Sequence, residues 1–486
     1  MKTQFGITRL VHDDAGSMMA VWGVSFAALL GIAALSFDMG RVAATQTELQ
    51  SFADAVALAA AGELDGHPDA LIRARTAAAL ITDTQTYGAG AAALSVDTDV
   101  TLTFHDALPN DDRTPITTQT TEARDAVYAR AVITPREVGL TFGAAFSALS
   151  GADAPDSTAR ASAVAGFTQY ACDITPLMFC IPEAGFDANA STGRMIRLRS
   201  GGKDASWAPG DFGFLDPKDT LIDPNGPCAG KTGVNLTSCL IGASGSITRC
   251  FSIRGVDIEP GQKVGIEDAI FNVRFDIFKG IMNGERNNAA YAPAPNVIKG
   301  IVPASGGQCI GNNEAISPDT VGIPRDDCLT LGTCDTYGDG DWSLGRADYV
   351  ATNYGGIDPH PGALTRYDYY KAEIDAAGGG ASTNPLLIGK AETGRPQCSM
   401  HQATDPDRRV VVAAAIDCNA YPLGGAAEDV PVEEFVKLFL TEPVGDDGLS
   451  PPTLDIWAEV IGSAGGDGSG NGDDGGIFRD VVQLYR

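Results

Sequence analysis

Residues 13–41 read DDAGSMMAVWGVSFAALLGIAALSFDMGR, and the reading of this stretch governs the rest of the chain. No residue from Ser17 to Phe37 is charged. As a helix, a continuous apolar run of that length crosses the roughly 30 Å hydrocarbon core of a bilayer. A secretory leader has a shorter apolar region of about 7–15 residues followed by a small-residue cleavage site. The best local match to such a site is Ala34-Leu35-Ser36. Lys2 and Arg9 precede the run, and Arg41 follows it among the acids Asp38, Glu48 and Asp54. The positive-inside bias therefore puts a short N-terminus, residues 1–16, in the cytoplasm and the bulk of the chain outside.

The cysteines agree with that orientation. There are ten, beginning only at Cys172, and none forms a CxxC pair, so zinc and thioredoxin-like chemistry have no spacing to rest on. Cys172, Cys180, Cys228, Cys239, Cys250, Cys309, Cys328, Cys334, Cys398 and Cys418 are all disulfide candidates, which suits an oxidising compartment. Their spacing allows local pairing of Cys172 with Cys180 and of Cys328 with Cys334, but connectivity is not fixed by sequence. The 62 acidic against 34 basic residues give a net charge of -28, which excludes the cationic footprint that nucleic-acid binding needs.

Within the apolar run, Gly23, Ala27 and Gly31 recur every fourth residue and share a helix face on which small side chains admit a second helix. Beyond it, Val42, Leu49, Phe52, Val56 and Ala59 or Ala60 keep helical spacing, with Gly62 placed to end the helix. A helix from Ser17 to Ala61 is about 68 Å long, so half of it stands clear of the lipid.

The stretch DDAGSMMAVWGVSFAALLGIAALSFDMGRVAATQTELQSFADAVALAAAG resembles the N-terminal module of TadE-like and TadG-like proteins of tight-adherence (Tad, or Flp) pilus systems. The positions that carry the resemblance are Gly16, Ser17, Asp38, Gly40, Arg41, Leu49, Gln50, Asp54, Ala55 and Ala59. Stretches such as CDITPLMFCIPE from Cys172, TRYDYYKAEI from Thr365 and RRVVVAAAIDC from Arg408 resemble the larger TadG-type members. The resemblance implies a non-enzymatic component of pilus assembly in the bacterial inner membrane, with TadE-like minor pilins or other pilus components as partners. Two departures stand out. Prepilin processing couples cleavage after a glycine to a glutamate at the fifth mature position, which counted from Ser17 is Val21 here. The Asp-x-Ser-x-Ser metal site of some TadG relatives has no match: DCNAY at Asp417 and DGSGN at Asp467 lack the hydroxyls.

Beyond the long helix, His67-Pro68-Asp69 breaks the chain and Ala70 to Ile81 reads as a second helix. Ala93–Phe104, Asp125–Thr134 and Ser157–Phe167 alternate as strands between turn residues. The expected fold class is α+β: a long N-terminal transmembrane and pilin-like helix, followed by mainly antiparallel β domains with a loop-rich, disulfide-bearing region. The expected segments are 1–16 cytoplasmic, 17–62 the helix, 63–170 a pilin-like α/β module, 171–400 a disulfide-rich loop and β region, and 401–486 a C-terminal β region. SAGGDGSGNGDDGG, residues 463–476, reads as a flexible surface loop, and the chain ends in a strand pattern.

The acidic cluster CDTYGDGDWSLGRADY offers the one candidate for a metal. Asp335, Asp339 and Asp341 around Gly340 resemble half of a calcium loop, although the third and twelfth loop positions are Tyr337 and Arg346. A plain Asp-Gly turn is the simpler account. GPCAGKT, residues 226–232, is one residue short of a phosphate loop. There is no Gly-x-Ser-x-Gly, and the five histidines, His12, His67, His105, His360 and His401, show no pairing with a nucleophile. No cofactor and no enzymatic activity are expected. The alternative to a pilus-assembly role is an anchored or secreted adhesin that binds a surface ligand, with calcium held by Asp335 to Asp341.

Overall fold

A computed structural model of the chain describes residues 14–66, 68–84, 93–109, 111, 113–151, 157–172, 174–200, 207–216, 222–244, 250–253, 255–259, 267–297, 300–305, 307, 309–311, 313–423, 426–446, 454–464 and 478–485. The cytoplasmic expectation for the N-terminus falls largely outside these residues, as do His12, His67, Asp467 and most of the glycine-rich segment 463–476. The chain divides into two compact units, Met1–Thr168 with Val481–Arg486, and Gln169–Asp480.

In the first unit, helix α1 runs unbroken over Asp14–Ala61, 48 residues. Its two halves differ in burial as they do in chemistry. From Met18 to Phe37 every large apolar side chain is exposed, Trp22 at 71% and Phe26 at 63%. From Asp38 onward one face is buried, at Thr45, Leu49, Phe52, Val56, Ala57 and Ala60. That is the three-and-four spacing of a helix laid on a partner. The partner is an antiparallel sheet of β1 (Val100–His105), β2 (Tyr128–Ile133) and β3 (Ser162–Cys172), with the last strand, Phe478–Leu484, beyond β3. Val100 pairs with Ile133, and Tyr128 with Gly166. Ala129, Ala131, Ala163 and Ala165 share one core with Ala53, Ala57 and Ala60 of the helix, so small side chains on both sides let helix and sheet approach closely. α1 ends just before Gly62, and α2 (Ala70–Ala79) packs on it through Ala74 and Ala78.

Two details depart from the expected pattern. Val96–Asp99, part of the alternating run from Ala93, forms a helical turn instead of strand. The Asp99 carboxylate accepts the Ser95 backbone N–H at 2.9 Å and supplies the local bond that a strand ladder would otherwise provide. A third helix, α3 (Thr141–Ser150), is not among the expected elements, although Phe142, Phe146 and Leu149 fall at helical spacing, and it ends at Gly151, whose φ of 69° is left-handed.

The second unit is organised around a closed ring of strands. Its members are β4 (Leu177–Cys180), β5 (Met195–Ser200), β6 (Asp211–Phe214), β7 (Val410–Ile416), β8 (Glu434–Leu440) and β9 (Leu454–Ser463). Around the ring the order is β8-β7-β4-β6-β5-β9, and β9 pairs back onto β8, leaving the two-residue strand Gly445–Asp446 attached to β9 outside the circuit. Two neighbouring pairs are parallel, β7 with β4 and β5 with β6; the other four are antiparallel. Met178, Leu198, Phe212, Leu438, Ile456 and Val460 belong to the main core. The alternate residues Phe439 and Ile461 pack with α4 (Ser343–Tyr354) and α5 (Arg366–Ala376) instead, as the two-residue period of a strand requires.

This topology corrects two expectations. Regions 171–400 and 401–486 are not separate: the ring takes β4–β6 from one and β7–β9 from the other, and residues 215–409 are an insertion carrying α4 and α5. Cys172 does not pair with Cys180. Instead Ile416 stands beside Cys180 in the parallel β7–β4 pair, bringing Cys418 within bridging distance, and the Cys180–Cys418 bond links residues 238 positions apart with a Cα separation of 5.4 Å. Cys172 bonds Cys250, its partner in a short ladder between Tyr170–Cys172 and Cys250–Ser252. The remaining bridges are Cys228–Cys239, Cys309–Cys398 and Cys328–Cys334.

Candidate functional site at the end of the apolar helix

The apolar half of α1 stops at Phe37, and the first residue after it is the hub of the first unit. Asp38 is only 4% exposed. Its Oδ1 accepts the Thr141 N–H at 3.0 Å, and its Oδ2 accepts those of Phe142 and Gly143 at 3.0 and 2.7 Å. These are the first amides of α3, which a helix leaves without intrahelical partners. A carboxylate there also faces the positive end of the helix dipole. One turn further along α1, Arg41 Nη1 donates to Thr141 Oγ1 at 2.9 Å. The Asp-x-Gly-Arg segment thus clamps the start of α3 from a distance of about a hundred residues. Phe37 and Phe142 meet edge to face beside it, centroids 5.8 Å apart.

The later motif residues hold α1 to the sheet. Gln50 Nε2 donates to Asp54 Oδ1 at 2.7 Å and to the Ser162 carbonyl at 3.1 Å. Gln46, which sequence reasoning did not single out, bonds the Arg160 backbone at both its N–H and its carbonyl. Its one available signal was a position a turn before Gln50. Leu49 is fully buried, and Ala55 and Ala59 are partly so. Gly23 and Gly31 have open space where a Cβ would stand, as does Gly40, and Ala27 is exposed. The small-residue face therefore meets no other part of the described chain. Gly16 and Ser17 lie within α1, but their side chains are outside the described residues.

Asp335, Asp339 and Asp341 each have a partner within the protein. Asp335 pairs with Arg197 at 2.9 Å, Asp339 Oδ1 accepts the Asp341 N–H at 3.1 Å, and Asp341 Oδ1 accepts the Ser343 N–H at 3.0 Å. That last bond, at the start of α4, holds the Asp341 carboxyl below its ordinary range. Asp339 also lies near Cys328 and Cys334, but those sulfurs are bonded to each other. Asp339 and Asp341 thus form the turn that opens α4, with Gly340 supplying a positive φ of 86°.

Deeper in the second unit, Arg366, Asp326 and Glu459 are all fully buried and form an ion triad. Glu459 Oε1 accepts the Arg366 N–H at 2.9 Å and Oε2 the Tyr367 N–H at 2.7 Å, so a strand carboxylate caps α5. Glu373 receives hydroxyls from Tyr349 and Tyr354 at 2.7 and 2.6 Å, and burial pushes its carboxyl upward. The first network fastens α5 to β9 of the ring, and the second ties α4 to α5. Of the histidines, His105 bonds Thr103 and His401 bonds the Asn287 carbonyl, while burial lowers His360. Cys228, within the former phosphate-loop candidate, is bridged to Cys239.

Residues 16–63 match the family model described as "Putative Flp pilus-assembly TadE/G-like". The matched segment contains the apolar half of α1, Asp38 and Arg41, and Gln46 to Asp54. Over these residues the chain is similar to a TadE/G-like pilus-assembly domain, which supports involvement in pilus assembly. No curated protein matches the chain, and no solved structure does.

Proposed function

We propose that the protein is a non-enzymatic, membrane-anchored component of tight-adherence pilus assembly. Met18–Phe37 crosses the inner membrane, and both compact units work on its outer side. The observation that carries this reading is the coincidence of the TadE/G-like match with an exposed, uncharged apolar helix long enough to cross a bilayer. Lys2 and Arg9 before the span and five disulfides after it support that orientation. The open face at Gly23, Ala27 and Gly31 is where the span of a TadE-like minor pilin or another pilus component packs.

A photo-crosslinker at Ala27 in the native host tests this. Capture of a small single-span pilus component is expected. Adducts with lipid alone, in cells that assemble pili, would refute the packing face. Fractionation and intact mass of the mature chain, with and without the prepilin peptidase, test the anchor. A retained, uncut chain is expected, and a chain beginning at Ser17 only when the peptidase is present would make it a minor pilin instead.

A further inference from the structure

α3 reads TFGAAFSALS, and no charged residue occurs anywhere between Glu137 and Asp153. In a chain with 20% charged residues such a stretch normally goes to a core. Here, among the described side chains of α3, Thr141, Phe142, Ala144, Ala145 and Ala148 are exposed, Phe142 at 46%. Its first turn is fixed by Asp38 and Arg41, and its first aromatic ring touches Phe37, the last apolar residue of the exposed run on α1. The uncovered apolar surface of α3 therefore continues the uncovered apolar surface of α1, at the level where that helix turns polar.

We propose that α3 is an interfacial helix that rests in the lipid of the leaflet from which α1 emerges. This rests on the reading that α1 crosses a bilayer. At 10 residues α3 is about 15 Å long, half of what a span needs, so it lies along the boundary rather than through it. The choice of lipid over a protein partner follows from continuity: a surface joined edge to edge with a lipid-facing helix meets the same solvent. The arrangement also accounts for the burial of Asp38. A carboxylate at the hydrocarbon edge is costly, and α3 covers it with three N–H donors while adding apolar area of its own. The acid that ends the span is thereby made compatible with its depth.

All ten cysteines are paired and none is free, so one introduced cysteine can be labelled selectively in the full-length protein. The test uses Ala145→Cys, Ala27→Cys and Leu344→Cys, each carrying an environment-sensitive fluorophore, in vesicles of phosphatidylethanolamine and phosphatidylglycerol. Quenchers are lipids brominated high on the acyl chain and aqueous iodide. The label at 145 is expected to lose most of its emission to the bromolipid and little to iodide, while the label at 344, on a residue 65% exposed in the second unit, shows the reverse. Quenching at 27 by lipid with iodide access at 145 overturns the interfacial helix and leaves the anchor standing. A label at 145 shielded from both quenchers means that protein covers α3, and also overturns it. Failure of lipid to reach the label at 27 removes the anchor and the inference together.

Discussion

Glu459 and Arg366 meet twice: the glutamate accepts the arginine's backbone N–H at 2.9 Å and its guanidinium Nη1 at 3.1 Å, with both side chains wholly buried. The guanidinium also donates to Asp326 and, at 2.6 Å, to the Pro324 carbonyl. One arginine thus satisfies two buried acids from separate parts of the insertion and ring. Arg366→Met fills the volume but leaves two carboxylates uncompensated, and is expected to destabilise the second unit by about 3–5 kcal/mol. Glu459→Gln keeps the cap acceptor and is expected to cost less. Chemical denaturation of the two variants checks the order, and an R366M variant as stable as the parent would show that the triad contributes no net stability.

Asp38→Ala removes the acceptor for three amides of α3. The expected loss is about 1–2 kcal/mol, the usual cost of removing a helix cap. Asp38→Asn retains one oxygen and is expected to recover part of it. Limited proteolysis of the full chain in detergent is the readout, with new cleavage between residues 138 and 157 in the alanine variant.

Gly166 stands opposite Tyr128, and a Cβ at Gly166 would lie 2.7 Å from that ring and 2.9 Å from Tyr485. The two rings pack edge to face, centroids 5.2 Å apart, over the bare backbone. Gly166→Val is expected to cost about 1–3 kcal/mol by overpacking. Combining it with Tyr128→Ala should restore part of that loss, and thermal melts of both single variants and the double variant measure the coupling.

Glu434 opens β8, and burial beside Asp187 raises its carboxyl to about 7, against the downward pull of the Ala188 N–H. A carboxyl raised on folding binds its proton more tightly in the folded state. Its contribution to stability is therefore full below the ordinary value of 4.5 and is lost as pH rises toward 7. Glu434→Gln should flatten that dependence and raise stability at pH 8 relative to pH 4, by on the order of 1 kcal/mol once screening is allowed for. Parallel denaturation curves at the two pH values decide it; an unchanged slope would mean that another group dominates.

The parts of the fold legible in sequence are those encoded by local period and punctuation. The apolar run of α1, its amphipathic continuation to Ala61 and the stop at Gly62 follow from spacing alone, as do β2 and β7. The elements that escaped depend on distant partners. α3 is only ten residues long, too short for the repeat of Phe142, Phe146 and Leu149 to stand out, and its start is set by Asp38. The Cys180–Cys418 bridge follows from a parallel pairing of strands more than two hundred positions apart, which no local pattern records. At the candidate site the sequence marked Asp38 and Arg41 only as motif letters, since their partner at Thr141 is invisible without the fold. The acids from Asp335 to Asp341 have the composition of a metal loop; in the fold one oxygen of each meets Arg197 or a backbone amide, which their composition alone does not reveal.

The ring of the second unit also imposes an order of events on biogenesis. β4, β5 and β6 are made by residue 214, but the strands that complete their circuit arrive only between residues 410 and 463. Until then Leu177–Cys180 lacks its parallel neighbour, and the thiol of Cys180 must wait for Cys418 while other cysteines emerge. The nascent half-ring exposes strand edges that can pair wrongly. If α1 anchors the chain as proposed, the region after it crosses starting from the end next to α1, and is expected to depend on a thiol isomerase or holdase until nearly its whole length has passed; an α1 tether would hold that vulnerable intermediate at one place.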